Sequence, residues 1–249
     1  MTTESLDSFL FQGRNPNAQK TKEDVFNILQ SLTQVSCRSC GLSNLSPDNP
    51  GFLYRGNPLA KIAFLLDYPT DYDMKARKAF SDSYSQEFFK WCRSLGLSER
   101  DVFLTYVIQC KTPVLPSSDD EEGRSISKNE LNICFPGRAL CVLKNMQHLE
   151  VVVCLGQPAM KAILGGTPKM KSHQGTWFGV DTLPGVAVFC LPDPKTFDVT
   201  TSPRVRGRLR QVLEYFKTEY LGRPGVIDPG KIMGILKLQE AERFQPKEI

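Results

Sequence analysis

The chain has 249 residues, a formal net charge of +4 at pH 7, eight cysteines and two histidines. A chain of this length can bury the core of one large α/β domain with tails, so its fold does not require disulfides. The charge is too small to indicate a nucleic-acid partner by itself. We see no signal peptide and no long apolar span, which argues against a secreted or membrane protein and predicts an intracellular one, cytoplasmic or nuclear. Four disulfides in a secreted protein are the alternative use of the cysteines.

Hydrophobic periodicity predicts helices that alternate with short apolar strands. Helical spacing marks residues 25–32, 88–95 with a stop at Gly96, and 205–216. Residues 128–147 also look helical, although Pro136-Gly137 must interrupt or start that helix. Buried strands are expected at residues 61–66, 102–108, 150–155 and 186–191.

This alternation predicts a mostly parallel four-stranded sheet covered by helices on both faces. Ligands of such sheets bind beyond the carboxyl ends of the strands. Here those ends carry Asp67-Tyr68-Pro69, Gln109-Cys110, Gly156-Gln157 and Pro192-Asp193-Pro194. We expect a flexible segment at residues 1–20, one domain at 21–221 and a C-terminal tail at 222–249. Residues 232–238 of the tail could form a short helix that docks on the core or on a protein partner.

Four cysteines predict a metal centre. Cys37 and Cys40 form C-R-S-C, a spacing that lets two thiolates bind one centre, whereas Cys110 lies where a predicted strand ends and Cys134 where a helix begins. Zinc is possible, but a second closely spaced pair is missing, and four dispersed thiolates suit iron–sulfur at least as well. The other cysteines stand in apolar runs and are expected in the core: Cys92, Cys141, Cys154 and Cys190.

A basic cluster predicts contacts with nucleic-acid phosphates. It follows Ser202-Pro203, near the start of a predicted helix, where backbone N–H groups favour anions. We expect three lysines to lie nearby, and a solvated helix face is the alternative. The residues are Arg204, Arg206, Arg208 and Arg210, with Lys169, Lys171 and Lys195.

Ordered landmarks from residue 36 to 215 carry a family resemblance. They are C-R-S-C, A-K-I-A-F-L-L-D-Y-P, L-G-L-S-E-R-D-V-F-L-T-Y-V-I-Q-C-K-T-P, E-L-N-I-C-F-P, V-V-V-C-L-G-Q-P-A, I-L-G-G and H-Q-G. Together they resemble the iron–sulfur uracil-DNA glycosylases of the family 4 type. The resemblance implies a three-layer α/β/α fold, DNA as partner, and a structural four-iron, four-sulfur cluster on Cys37, Cys40, Cys110 and Cys134.

The resemblance also assigns the base pocket, and the residues there differ from the family motifs. Phe80 matches the aromatic residue that stacks on the base. Tyr106 stands where the family has an asparagine that reads the uracil edge. Packing is the alternative role of both rings.

Two acidic residues match the remaining catalytic motifs. Asp67 matches the glutamate of G-E-A-P-G, with Leu66 and Thr70 in place of glycines, and Asp193 stands where H-P-S has its histidine. Asp67 could instead cap or orient a turn, and Asp193 could be a turn residue. An ionised Asp193 would repel the negative charge that builds on a departing uracil, unless its pKa were strongly raised.

Three functions follow from these residues. The first is a DNA-binding protein on a glycosylase fold, without efficient uracil excision, acting in DNA repair or replication. The second is an active DNA glycosylase with altered base specificity, in which Asp67 positions water and Asp193 is a second acid or base. The third is a metal-stabilised protein-interaction module that does not bind nucleic acid.

Overall fold

The computed structural model describes residues 22–34, 37–45, 51–94, 96–112 and 126–193. The expected helix at 205–216, both predicted tails, Lys195 and the four arginines of the basic cluster lie outside the described residues. Among the described helices, none is long and apolar enough to cross a membrane.

The described elements alternate along the chain as the sequence predicts. The strands are β1 (Tyr54–Gly56), β2 (Ile62–Leu66), β3 (Val102–Tyr106), β4 (Val151–Leu155), β5 (Trp177–Gly179) and β6 (Ala187–Leu191). The α-helices are α1 (Lys22–Gln34), α2 (Gly41–Leu45), α3 (Asp71–Ala76), α4 (Ser83–Ser94), α5 (Lys128–Phe135), α6 (Cys141–Asn145), α7 (Gln157–Leu164) and α8 (Met170–His173). A π-helical segment, Pro136–Leu140, joins α5 to α6.

The strands form one six-stranded sheet in the order β1-β3-β2-β4-β6-β5. Its four central strands are parallel, and each edge strand is antiparallel to its neighbour. The predicted α/β fold is therefore confirmed, but the sheet has two more strands than the four expected. Both additional strands have only three residues, too short for hydrophobic periodicity to reveal.

Helices cover both faces of the sheet, which explains why the central strands are continuous apolar runs. Side chains alternate between two cores along each strand. In β4, Val152 and Cys154 face the core that includes α1 and α7, whereas Val151 and Val153 face the core that includes α4. Cys154 lies opposite Cys190 of β6.

The helix predicted at 128–147 is continuous rather than interrupted. Ser127 and Glu130 cap its start reciprocally, and Pro136 begins the π segment instead of ending the helix. Proline has no N–H to donate, so wider local winding accommodates it without a break. Cys134 therefore lies near the end of α5 and not where a helix begins, which corrects that prediction.

Candidate functional site

The carboxyl ends of the four parallel strands meet at one edge of the sheet. Leu66 ends β2 opposite Tyr106 of β3, and Leu155 ends β4 opposite Leu191 of β6. Asp67 follows at the same edge, where its carbonyl accepts a hydrogen bond of 3.0 Å from the Ile108 N–H. Parallel strands thus bring the predicted crevice residues to one edge of the sheet.

The Asp67 carboxylate serves as a cap for α7. Gly156 stands at the N-cap position and has no side chain to accept from the helix, whereas Asp67 Oδ1 accepts from the Ala159 N–H at 3.2 Å. Gly156 has φ +96°, and a Cβ there would lie 3.1 Å from Asp67 Oδ1. Glycine at 156 thus lets α7 approach this carboxylate, and the helix N-terminus favours the negative charge.

Tyr106 is buried at the end of β3, and its hydroxyl has partners on both sides. It donates to Asp73 Oδ2 at 2.8 Å and accepts from the Phe80 N–H at 2.9 Å. The rings of Tyr106 and Phe80 stack with centroids 5.6 Å apart and planes 21° apart. Burial, with the Asp73 charge next in effect, raises the pKa of Tyr106 well above its usual range, so the phenol stays a neutral donor.

Asp73 accepts hydrogen bonds from several residues of this part of the crevice, and the sequence did not reveal its role. Its carboxylate is fully buried and accepts from the Thr70 N–H, the Thr70 hydroxyl, the Ser81 N–H and the Tyr106 hydroxyl, at 2.6–2.8 Å. The spacing of Thr70 and Asp73 is that of a capping box, the one sequence signal that could have revealed it.

The turn that carries Phe80 is held from both sides. Phe80 has φ +57°, an uncommon conformation for a residue with a side chain. Its N–H donates to Tyr106, and its carbonyl accepts from Arg55 Nη1 at 2.7 Å. Arg55 is fixed in turn by Glu99 at 2.8 Å. Because Phe80 is only 1% exposed, neither face of its ring is available to a ligand in this arrangement.

Asp193 lies half-buried two residues beyond the end of β6. Its position at the carboxyl edge is the one that the sequence predicts. The structure thus places Asp67, Tyr106 and Asp193 along the same edge of the sheet, and Phe80 packs against Tyr106.

The four cysteines predicted as metal ligands influence one another electrostatically. Cys110 and Cys134 are buried, and Cys37 and Cys40 are half-buried. Burial and, beside it, the charges of the other cysteines raise the pKa of Cys110 to about 12. Burial likewise raises that of Cys134 to about 12, although the Gln109 N–H donates to its sulfur. Helix α5, the segment after β3 and the C-x-x-C segment are therefore within electrostatic reach of one another.

Arg138 of the π segment stands beside this four-cysteine group. Burial opposes ionisation of Cys37, but the Arg138 charge and hydrogen bonds from Ser39 and Arg138 outweigh it, so the pKa of Cys37 is lowered. The sequence analysis missed Arg138 too. Its signal is a single charged residue in the otherwise uncharged run from Ile133 to Leu143.

None of the eight cysteines, all of which lie in the described ranges, forms a disulfide. Within the described ranges, no three Cys, His, Asp or Glu side chains are grouped closely enough to be recognised as the site of a metal ion.

The sequence pattern of the uracil DNA glycosylase superfamily matches residues 53–217. This chain belongs to that superfamily. A solution NMR structure of a candidate uracil DNA glycosylase from Methanosarcina acetivorans shares 12% identity, with a TM-score of 0.37, over 67% of this chain and 95% of that one. So low a score adds no argument to the family assignment. No curated protein sequence matches the chain.

The superfamily match includes the crevice residues and two of the cysteines. Asp67, Phe80, Tyr106 and Asp193 lie within it, as do Cys110 and Cys134, whereas the C-R-S-C pair precedes it. The pair nevertheless acts electrostatically on the other two cysteines.

Two of the predicted phosphate-binding residues are described, and both are exposed. Lys169 precedes α8 and Lys171 lies within it. The Gly175 N–H, just after α8, donates to the Cys190 carbonyl at 2.8 Å, which places α8 near the carboxyl end of β6. In this superfamily fold, the two lysines therefore lie toward the same edge as the crevice.

Proposed function

We propose that this chain is a nucleic-acid-binding member of the uracil DNA glycosylase superfamily that does not excise uracil efficiently and acts in DNA repair or replication. The observation that supports this most is the pair of Tyr106 and Phe80. The Tyr106 ring lies against the ring to which the family resemblance gives the base-stacking role, at a centroid distance of 5.6 Å. A base stacked on that face would compete with the side chain of Tyr106.

The hydrogen bonds of Tyr106 strengthen the argument. Its hydroxyl donates to Asp73 and accepts from the Phe80 N–H, so both functions of the group are used within the protein. An asparagine in this position would offer a donor and an acceptor to the uracil edge. Sites that recognise a substrate by hydrogen bonds discriminate by a factor on the order of 10⁴ through such groups. Replacing the amide by an internally bonded phenol removes that selection.

The carboxylates of the crevice favour the same conclusion. Uracil leaves as an anion, and catalysis requires donors or positive charge where that anion forms. Asp67 is directed to the N-terminus of α7, and Asp193 contributes a second acidic group at this edge. An ionised Asp193 in place of the family's histidine opposes the departure of an anionic base.

The partner in this proposal is DNA, bound through its phosphates. Lys169 and Lys171 are exposed near the carboxyl edge, and the arginines at 204–210 are predicted to add to them. Affinity should fall as salt rises, and each lost phosphate contact should reduce the salt slope by about 1.

The test measures DNA binding and base release on the same samples. Fluorescently labelled single-stranded, matched and mismatched duplexes are titrated at several salt concentrations, and uracil release is followed beside them. Lys169→Ala/Lys171→Ala and Arg206→Ala/Arg208→Ala should weaken binding and flatten the salt slope. The control is Lys144→Ala, at an exposed lysine of α6, which should change neither the DNA affinity nor its salt slope. Wild-type protein without measurable DNA affinity would contradict the proposal and favour a protein-interaction module.

An active glycosylase with altered base specificity is the second candidate, since Asp67 and Asp193 lie along one edge of the sheet. In that mechanism Asp67 would position water, and Asp193 would serve as acid or base. Release of another base from the mismatched duplexes, with uracil untouched, would favour this function over the first.

We further propose that Cys37, Cys40, Cys110 and Cys134 hold a four-iron, four-sulfur cluster, with zinc as the alternative. The donor set is chemically suited to it, because all four groups are thiols and a buried cation, Arg138, stands beside them. When bound, the cluster supplies a covalent link between three segments of the chain. The protein's own residues orient the sulfurs, as the Gln109 N–H does for Cys134.

Metal analysis after anaerobic purification tests this centre. In wild type we expect iron and sulfide in a four-to-four ratio. Cys40→Ser should lose both iron and sulfide and should have a lower free energy of unfolding. Cys92→Ala, a buried cysteine outside the group, is the control and should keep the iron. Stoichiometric zinc without iron or sulfide would establish the alternative.

A further inference from the structure

Tyr72 of α3 is a large aromatic side chain that the fold leaves in solvent. It is 69% exposed, and among the described residues the other exposed large hydrophobic side chain is Phe26 of α1, at 47%. Single exposed hydrophobic residues are common on protein surfaces and by themselves indicate no function. For Tyr72, the anchoring of its backbone, its place in the fold and the charges beside it together indicate a binding surface.

Both chain neighbours of Tyr72 are fixed to the region where β3 ends. Asp71 Oδ2 forms an ion pair of 2.6 Å with Lys111 Nζ, in the segment that follows β3. The buried Asp73 carboxylate accepts from the Tyr106 hydroxyl at 2.8 Å. These two contacts hold the start of α3 at the carboxyl edge of the sheet, where ligands of such folds bind. A ring on an anchored backbone loses little main-chain freedom when a ligand stacks on it.

Basic side chains follow Tyr72 along the same segment. Lys75 lies three positions later in α3, so the two side chains are neighbours on one face of the helix. Arg77 follows the helix with φ +49°, and both Lys75 and Arg77 are exposed. Within the described part of the chain neither of these cations forms an ion pair, whereas Lys78 pairs with Glu99 at 2.8 Å. The surface therefore combines an exposed ring with positive charges that can attract an anionic ligand.

We infer that Tyr72 stacks on an unpaired base of single-stranded DNA while Lys75 and Arg77 contact the adjoining phosphates. The inference rests on the proposed function, nucleic-acid binding, and names the form of DNA that is bound. Aromatic rings on a positively charged surface suit single strands, because every base has a π-face. In a matched duplex, neighbouring base pairs cover those faces. Because Tyr72 is exposed, binding there does not require the stacked pair of Tyr106 and Phe80 to open.

The experiment titrates the full chain into a labelled single-stranded oligonucleotide and into its matched duplex at several salt concentrations. Tyr72→Ala should weaken single-strand binding about tenfold and leave the salt slope unchanged, because stacking releases no counterions. Its affinity for the duplex should change by less than about twofold. Tyr72→Phe keeps the ring and should bind the single strand within about twofold of wild type. The matched control is Phe26→Ala, at the other exposed aromatic residue, which should leave single-strand affinity unchanged.

The two cations are tested by the salt slope. Lys75→Ala/Arg77→Ala should weaken single-strand binding and reduce the slope by about 0.7 for each phosphate contact that is lost. An unchanged slope in this double variant would overturn the phosphate contacts.

The outcomes separate this inference from the proposed function. Wild type that binds single strands no better than Tyr72→Ala overturns the inference alone. An equal loss on the matched duplex also overturns it, as does a loss in Tyr72→Phe as large as in Tyr72→Ala, because neither result would come from stacking. Wild type without affinity for any DNA overturns the proposed function as well. Urea denaturation of each variant checks the fold, and Tyr72→Ala should unfold close to the midpoint of wild type because its side chain is exposed.

Discussion

Tyr106 and Asp73, 33 residues apart in the sequence, share a buried hydrogen bond of 2.8 Å. It connects the last residue of β3 to α3 and so to the turn that carries Phe80. The bond closes the part of the crevice where the family resemblance places a base. Because the acceptor is a buried carboxylate, losing the donor should lower the free energy of unfolding substantially.

Removing the Tyr106 hydroxyl should destabilise the fold. Tyr106→Phe leaves the Phe80 N–H without its acceptor and takes one donor from Asp73. Hydrogen bonds to charged groups contribute about 1.5–3 kcal/mol, so we expect the free energy of unfolding to fall by about 2 kcal/mol. Urea denaturation measures it. Tyr72→Phe, at a residue 69% exposed, is the control and should stay within about 0.5 kcal/mol.

The phenol also makes stability depend on alkaline pH. The folded pKa of Tyr106 is raised above the usual value, so the unfolded chain ionises first as pH rises. Stability contributed by this group is present below about pH 10 and is lost above it. Wild type should therefore lose more stability between pH 9 and pH 11 than Tyr106→Phe does. Denaturation at each pH measures this difference. Parallel curves would contradict the buried, neutral phenol.

Gly156 should tolerate no side chain, for two separable reasons. Its φ of +96° and ψ of 167° are adopted almost only by glycine, and a Cβ would lie 3.1 Å from Asp67 Oδ1. We expect Gly156→Ala to lower the free energy of unfolding by about 2 kcal/mol. Gly185→Ala is the control, since Gly185 has φ +79° but a Cβ there would meet nothing within 4 Å. Equal losses in both variants would mean that the contact with Asp67 adds nothing.

Glu99 should stabilise the protein at neutral pH and lose that effect in acid. Its hydrogen bond from Arg55, with a further one from Lys78, lowers the pKa of Glu99 from 4.5 to about 2. The stabilisation is present above about pH 4.5 and disappears as pH falls to 2, through the folded pKa. Its side chain is 39% exposed, so solvent screening limits the effect to about 1 kcal/mol.

The test compares Glu99→Gln with wild type at pH 7 and pH 2.5 by urea denaturation. The difference in unfolding free energy should be about 1 kcal/mol at pH 7 and should shrink at pH 2.5 and in high salt. Asp181→Asn, at an exposed aspartate, is the control and should show no comparable pH dependence. A difference that persists in acid would locate the stabilisation in packing rather than in charge.

Sequence reasoning predicted what is local and periodic, and it missed what depends on contacts between distant segments. The central strands are five-residue apolar runs and were predicted nearly to the residue, whereas β1 and β5 have three residues each. The spacing of Cys37 and Cys40 predicts a metal centre, which stays a prediction. Asp73 and Arg138 were missed because their partners come from other elements: β3 for the first, and the end of α1 and residue 51 for the second.

The last prediction concerns activity: wild-type protein should release uracil very poorly. Tyr106 is bonded internally where an amide should read the base, and Asp193 stands where a histidine should support the departing anion. Restoring one residue alone should not recover activity, because groups that act as a unit are non-additive. Tyr106→Asn would in addition leave a cavity beside Phe80 and remove a partner of Asp73.

A time course on a uracil-containing oligonucleotide, against a no-enzyme control, measures this activity. We expect wild type, Tyr106→Asn and Asp193→His each to stay near the uncatalysed rate, and the double variant to be the first candidate for recovery. Circular dichroism on the same samples separates inactivity from unfolding. Efficient multiple-turnover release by wild type would refute the prediction, because the stacked pair of Tyr106 and Phe80 would then have to open for the base, and Asp67 and Asp193 would become catalytic candidates.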